Sequence, residues 1–171
     1  GLKFKSSIDA LESISSVANM PITIGGGISS LVEIEARLKS GADKIALNTQ
    51  AILNPRFINE AAREFGSQCI VISIDYVKNA GISYVYNRNI NSSMLPRLDE
   101  WTKRVQDLGA GEILLNSVER DGMKCGYDLD ILGSISESID IPVIGCGGAG
   151  SWEDMAKLIS ETSVDAVAAA N

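Results

Sequence analysis

Short apolar segments alternate with amphipathic segments along the whole chain. Six apolar runs predict strands, at Pro21–Ile24, Lys44–Leu47, Cys69–Asp75, Glu112–Asn116, Pro142–Cys146 and Ala166–Ala169. Stretches with a helical spacing of apolar positions predict one helix before the first strand and five between the strands, at Ser7–Asn19, Ser30–Ser40, Pro55–Phe65, Arg97–Leu108, Asp128–Glu137 and Ser151–Glu161. Ser30 and Ser151 suit helix N-caps. This alternation predicts a parallel sheet joined by right-handed crossovers.

One segment interrupts the alternation. Gly81–Met94 is polar, carries a short alternating stretch at Tyr84–Val85–Tyr86, and follows the third strand directly. It predicts a small hairpin on the loop side of the sheet, and a merely tolerated insertion is the alternative.

An internal repeat indicates the architecture. Pro21–Gly27 and Pro142–Gly148 share the order of proline, apolar strand and glycine pair, and a serine-capped helix follows each. Such an echo is expected of a (β/α)₈ barrel (TIM barrel) of the phosphate-binding half-barrel type. Because such barrels have eight strands and about 250 residues, residues 1–171 are expected to be a single partial barrel domain. We expect about six of eight βα units, without the N-terminal units and the last helix; an open six-stranded sheet is the alternative.

Composition narrows the classes of function. The net charge of −7 argues against a nucleic-acid-binding protein, and no apolar run is long enough to span a membrane. Without a signal-peptide pattern, a cytoplasmic protein is expected. Three widely spaced cysteines predict reduced thiols rather than disulfides or a zinc site. The chain has no histidine, so Asp, Glu, Lys, Tyr or Cys would carry acid–base chemistry.

Glycine and polar residues gather where the predicted strands end, which is where barrel enzymes place their active sites. A strand that runs into a glycine pair and then a helix leaves bare N–H groups that suit an anion. Two such turns predict two phosphate sites and a substrate with a phosphate at each end. The predicted phosphate-binding residues at these turns and the neighbouring strand ends are Gly26, Gly27, Asn48, Thr49, Gly147, Gly148 and Asn171.

Four charged residues are candidates for other roles. Asp75 ends an apolar run, so it is either an acid–base group at the barrel mouth or a turn residue. Asp121 lies in a turn-forming loop and suits a turn residue better than a catalyst. Lys44 and Glu112 begin their strands at the opposite mouth, where charges usually stabilise the fold.

The motifs resemble those of a known family. PITIGGGI at Pro21–Ile28, GADKIALNT at Gly41–Thr49, GAGEILLNSVERD at Gly109–Asp121, GYD at residues 126–128 and the later CGGAG are similar to the cyclase subunit of imidazole glycerol phosphate synthase. The resemblance implies a (β/α)₈ barrel lyase of histidine biosynthesis that takes ammonia from a partner glutaminase. It would convert a bisphosphorylated ribulosyl intermediate to imidazole glycerol phosphate and an aminoimidazole carboxamide ribotide, with no metal or organic cofactor.

The resemblance also implies roles for individual residues. Asp75 matches one of two catalytic aspartates, and the other belongs to a first strand absent from this chain. One phosphate site matches Gly27, Asn48 and Thr49, and the other matches Gly122, Gly148 and Asn171, with Asp121 beside it. Lys44 and Glu112 match members of a charged ring that gates ammonia entry.

Some positions depart from the family pattern. Asn116 stands where threonine is usual, and Cys146 and Asn171 stand where serine is usual; Asn116, Asp121 and Cys146 would line the pocket. With Tyr76, these choices resemble paralogues that use the same ammonia transfer to amidate a sugar in lipopolysaccharide or surface-polysaccharide biosynthesis. Two further alternatives are a sister isomerase, disfavoured by Lys44 and Glu112, and a non-catalytic barrel that docks on and activates a glutaminase, disfavoured by Asp75.

Overall fold

The computed structural model describes residues 7–90 and 95–169. Within these residues the strands are β1 (Thr23–Gly25), β2 (Lys44–Leu47), β3 (Ile70–Asn79), β4 (Ile82–Tyr86), β5 (Glu112–Ser117), β6 (Val143–Cys146) and β7 (Ala166–Val167). The helices are α1 (Ser7–Ser15), α2 (Leu31–Lys39), α3 (Thr49–Leu53), α4 (Arg56–Phe65), α5 (Leu98–Asp107), α6 (Leu129–Ser138) and α7 (Trp152–Glu161). The short helix α3 and a 3₁₀ turn at Ser67–Cys69 were not expected from the sequence. None of the helices in these two segments is long and apolar enough to cross a membrane.

The parallel strands pair strictly in chain order. The sheet runs β1-β2-β3-β5-β6-β7, and every neighbouring pair along this path is parallel. A doubly wound open sheet reverses its order at a switch point, whereas a (β/α)₈ barrel does not. The sequential order therefore confirms the fold class as part of a (β/α)₈ barrel.

A hairpin follows the third strand, as predicted, but the segment 81–94 supplies only its second strand, and residues 91–94 lie outside the described residues. β4 pairs antiparallel with the second half of β3, and Asp75 lies opposite Tyr86. Ala80 and Gly81 form the turn with φ of 48° and 82°, a left-handed backbone that suits a two-residue hairpin turn. The expectation that Asp75 ends its strand was wrong, because β3 continues four residues further to pair with β4. Buried Tyr76 and Val85 hold this extension against the core.

The two faces of the sheet have different chemistry. Gly145 of β6 lies against Leu132 of α6 and Leu158 of α7, which identifies its face as the one that the helices cover. On the neighbouring strands, the residues in register with Gly145 are apolar. Leu115 of β5 pairs with Gly145, and Ile74 of β3 pairs with Leu115, so both lie on this face. Side chains alternate along a strand, so Lys44, Ala46, Ser73, Asp75, Glu112, Asn116 and Cys146 belong to the other face. The polar candidates therefore share one inner surface.

Two helices begin with the predicted serine caps. The Ser30 side chain accepts a hydrogen bond from the backbone N–H of Glu33, and the Glu33 carboxylate accepts from the backbone N–H of Ser30. Ser151 and Asp154 form the same reciprocal arrangement at α7. These capping boxes fix the direction in which each helix leaves its glycine turn.

Candidate active site at the carboxyl ends of the strands

A cleft of about 660 Å³ opens at the carboxyl ends of β1, β2 and β3. The turn after β1, the start of α3 and the segment after β4 form its walls. The described lining residues are Gly25, Gly26, Gly27, Ile28, Ser29, Ala46, Leu47, Asn48, Thr49, Gln50, Ser73, Asp75, Tyr86, Asn87, Arg88, Asn89 and Val118. Among them Asp75 is the anion and Arg88 is the cation. The structure thus brings five sequence-predicted residues, Gly26, Gly27, Asn48, Thr49 and Asp75, into one cleft.

Gly26 and Gly27 form an open turn at the cleft wall. Their φ angles are 107° and 64°, and a Cβ built on either residue would meet nothing within 4 Å. The backbone N–H groups of Ser29 and Ser30 donate to the Glu33 carboxylate, and the Ser29 N–H is the first of several bonds that lower the pKa of Glu33. An anion at this turn would therefore meet the backbone of Gly26 and Gly27 rather than the N–H groups of Ser29 and Ser30.

Two side-chain amides hold the Asp75 carboxylate. Asn48 Nδ2 donates to Oδ2 at 2.9 Å, and Asn116 Nδ2 donates to Oδ1 at 2.9 Å. Asn48 follows β2 and Asn116 lies on β5, the two strands that flank β3. The carboxylate is fixed in position by neutral donors, so its charge is oriented without being neutralised by a salt bridge.

The hairpin contributes a third amide that sequence reasoning missed. Asn87 follows β4 and is buried, and its Nδ2 donates to Asn48 Oδ1 at 3.3 Å and to Thr49 Oγ1 at 2.9 Å. Nothing local distinguishes Asn87 from the other asparagines of the polar segment 87–91. Only the fold of the hairpin back over the strand ends brings it to the cleft.

The second glycine pair is packed differently from the first. Gly147 and Gly148 are buried, and a Cβ on Gly148 would lie 2.2 Å from the carbonyl oxygen of Gly126. Gly126 N–H also donates to Gly148 O at 2.8 Å, so the β5–α6 loop lies against this turn. Gly122 is exposed on that loop with φ of 72°. Asn171 lies outside the described residues, and the second phosphate site stays a prediction.

Cys146 lies beside Asn116 at the end of β6. Burial raises the pKa of its thiol, and the nearby carboxylates of Asp121 and Asp75 raise it further. The Cys146 thiol is therefore protonated at neutral pH. Cys146, Asn116 and Asp121 are not among the described residues that line the cleft, so their place in the pocket stays a prediction. Asp121 is exposed, and its backbone N–H donates to Ser117 O at 2.9 Å, as expected for a turn residue.

An ion pair lies at the other end of the inner face. Lys44 Nζ donates to Glu112 Oε1 across the start of β3, and the two side chains are 29% and 19% exposed. Four residues along each strand separate this pair from Asn48 and Asn116, which is about 13 Å. Ala46, Ser73 and Leu114 lie at intermediate positions of the inner face.

A buried carboxylate connects the hairpin to the β5–α6 loop. Asp128 is buried, and its Oδ2 lies 3.2 Å from Lys78 Nζ of β3 and 4.0 Å from Arg120 Nε of the loop. The Lys78 N–H also donates to the Glu119 carboxylate at 3.3 Å. Within residues 7–90 and 95–169, no group of three or more acidic or cysteine side chains is arranged to hold a metal ion.

Comparison with known proteins matches the chain to a family model and, among similar proteins, to two subunits of the same name. The sequence model of the family described as "Histidine biosynthesis protein" matches residues 3–171. "Imidazole glycerol phosphate synthase subunit HisF" of Alkaliphilus metalliredigens (strain QYMF) is 44% identical over 165 residues, or 96% of this chain and 66% of that protein. The subunit of the same name from Bacillus cereus (strain G9842) is 44% identical over 170 residues, or 98% of this chain and 67% of that protein. The chain spans about two thirds of the length of these curated relatives.

Proposed function

The chain belongs to the histidine biosynthesis protein family, and on that premise we propose that it is part of the ammonia-dependent cyclase of imidazole glycerol phosphate synthase. The reaction would form imidazole glycerol phosphate and an aminoimidazole carboxamide ribotide from a bisphosphorylated ribulosyl intermediate. The names of the two relatives favour this cyclase over a sugar-amidating paralogue, an isomerase or a non-catalytic docking barrel.

The position of Asp75 and its two hydrogen bonds support this proposal most directly. Asp75 lies at the cleft, and amides from both neighbouring strands hold its two oxygens. A carboxylate fixed in this way can accept and return a proton at a constant place, as ring closure and cleavage of the ribulosyl intermediate require. Asn116 and Cys146 would line the same mouth, with Asp121 at its edge.

The same cleft suits one phosphate of the substrate. Gly26 and Gly27 leave the turn open, Asn48 and Thr49 place polar groups opposite, and Arg88 supplies a positive charge. Arg88 thus supplies positive charge locally in a chain whose net charge is −7. In the proposal, Gly122, Gly147, Gly148 and Asn171 bind the second phosphate.

The opposite mouth suits a partner that supplies ammonia. Lys44 and Glu112 pair on the inner face but at the end away from the cleft. A half-buried pair that closes on itself can act as a gate, because each charge satisfies the other until it is displaced. We infer a glutaminase docked at this mouth and a cytoplasmic location, with no metal or organic cofactor in the reaction.

Substitution of Asp75 tests the proposal. In the complete protein, Asp75→Asn should lower ammonium-dependent turnover of the bisphosphorylated intermediate by about 10²–10⁴-fold, because the amide cannot exchange a proton with substrate. KM should change little, since the shape of the cleft is kept. Steady-state kinetics with ammonium chloride as nitrogen source measure both constants.

Asp107→Asn is the matched control, because Asp107 lies exposed at the end of α5. Its turnover should equal that of the parent. Near-normal turnover of Asp75→Asn would remove Asp75 from the chemistry, and an inactive parent would refute the cyclase assignment.

A further inference from the structure

Asn87 occupies a position from which it controls the catalytic carboxylate without touching it. We propose that Asn87 is a positioning residue that holds the Asn48 amide, and through it Asp75, in a fixed orientation. The inference rests on the proposed function for the role of Asp75. The relay itself rests on hydrogen bonds between the hairpin and the end of β2.

The orientation of each amide in the relay is determined by the one before it. The backbone N–H of Asn89 donates to Asn87 Oδ1 at 3.0 Å, and a backbone N–H can only donate. Asn87 must therefore direct its Nδ2 toward Asn48 Oδ1 and Thr49 Oγ1. With its oxygen occupied by that donor, Asn48 directs its own Nδ2 toward Asp75.

Without Asn87 the Asn48 oxygen loses its donor, and the Asn48 side chain is held at this end by its bond to Asp75 alone. The amide can then turn about its side-chain torsions to satisfy its oxygen with water. The Asp75 carboxylate would lose the fixed position of one of its two donors. Asn87 also donates to Thr49 Oγ1, so it contacts both Asn48 and a residue of the proposed phosphate site.

The bond from Asn116 to Asp75 is independent of the hairpin. Asn116 donates to the other oxygen of Asp75 from β5, and Asn87 contacts Asn48 and Thr49 rather than Asn116. The Oδ1 of Asn116 is buried, has no hydrogen-bond partner among the described residues, and lies 2.9 Å from a Cβ built on Gly147. Effects on Asn87 and Asn116 should therefore combine as separate contributions, whereas Asn87 and Asn48 act as one.

The test uses the complete protein with ammonium chloride and the bisphosphorylated intermediate. Asn87→Ala should lower kcat about tenfold with little change in KM, the loss expected of one oriented hydrogen bond. Asn87→Asp keeps the acceptor for the Asn89 N–H but loses the donor, so it should lower kcat to a similar extent. Asn79→Ala, on the exposed end of the same hairpin, is the control and should match the parent.

Two further measurements separate positioning from folding. The kcat loss of Asn87→Ala should disappear in an Asn48→Ala background and persist in full in an Asn116→Ala background. A crystal structure of Asn87→Ala should show the Asn48 amide turned away from Asp75 and the Asn116 contact retained.

Several outcomes would overturn the relay: a normal kcat in both Asn87 variants, additive losses for Asn87 and Asn48, or an unchanged Asn48–Asp75 contact in the crystal structure of Asn87→Ala. An inactive parent would refute the proposed function, and the crystal structure would then decide the relay alone.

Discussion

Among its described lining residues, the cleft has one acidic side chain, Asp75, and one basic side chain, Arg88. The carboxylate of Asp75 meets neutral amides, whereas the guanidinium of Arg88 lines the same cleft from the segment after β4. Two opposite charges in one cleft that do not form a salt bridge with each other remain available to substrate. This separation fits a cleft in which one charge transfers a proton and the other binds an anion.

Arg88 is expected to bind a phosphate of the substrate. Arg88→Ala should raise KM for the bisphosphorylated substrate about tenfold and leave kcat within about twofold, since a charge-assisted hydrogen bond to phosphate acts in ground state and transition state alike. Arg63→Ala, on an exposed position of α4, is the control for loss of one positive charge. Initial rates over a range of substrate concentrations give both constants. A fall in kcat without a change in KM would place Arg88 outside phosphate binding.

Elements related by the internal repeat have diverged in packing. Both glycine turns join a strand to a serine-capped helix, and both have positive φ at their paired glycines. The turn after β1 faces the open cleft, whereas the turn after β6 is covered by the β5–α6 loop. The same local sequence therefore serves an open wall in one half and a tightly packed junction in the other.

This difference predicts unequal losses of stability for the same glycine-to-alanine substitution in the two turns. Gly148→Ala should lower the free energy of unfolding by about 3 kcal/mol or more, because the new methyl group would lie 2.2 Å from Gly126 O in a left-handed backbone. Gly27→Ala should cost only about 1 kcal/mol, the strain of a φ of 64° with open space around the methyl group. Urea unfolding of both variants measures the difference. Equal losses would show that the junction relaxes around the methyl group.

At the scale of the whole molecule, the proposed active site and the proposed ammonia gate lie at the two ends of one inner surface. Asp75 and the two amides that hold it lie at the carboxyl ends of the strands, and the Lys44–Glu112 ion pair lies at their starts. Parallel pairing in chain order sets both ends at once, since it aligns the starts and the ends of all strands. A nitrogen source at one mouth and a phosphorylated substrate at the other would meet along this surface.

The ion pair yields a prediction for the assembled enzyme. Lys44→Ala should lower glutamine-dependent turnover relative to ammonium-dependent turnover about tenfold, because an open gate lets ammonia escape before it reaches the cleft. Lys39→Ala, which breaks the exposed Lys39–Glu35 ion pair on α2, should leave this ratio at the parent value. Parallel assays with glutamine plus partner and with ammonium chloride give the ratio. Equal losses in both assays would make the Lys44–Glu112 pair merely structural.

Local patterns determined much of this protein from the sequence alone. Strand and helix periodicity gave the six parallel strands, the serine caps and the hairpin, and the glycine repeat indicated the barrel. Alternation along the strands placed Asp75, Asn116 and Cys146 at one end of the inner face and Lys44 and Glu112 at the other. These features follow from neighbours within one element, so the sequence contains them.

Only the tertiary structure determined which side chains that are distant in the chain contact one another. The bonds of Asp75 to Asn48 and Asn116 join residues 27 and 41 positions apart, and Asn87 reaches Thr49 across 38. Strand register and the docking of the hairpin set these contacts, and neither leaves a local mark in the sequence. The covering of Gly148 by Gly126, 22 residues away in the chain, depends equally on three-dimensional packing. Periodicity fixes which way a side chain points, but only the packed molecule fixes which atoms lie within hydrogen-bonding distance.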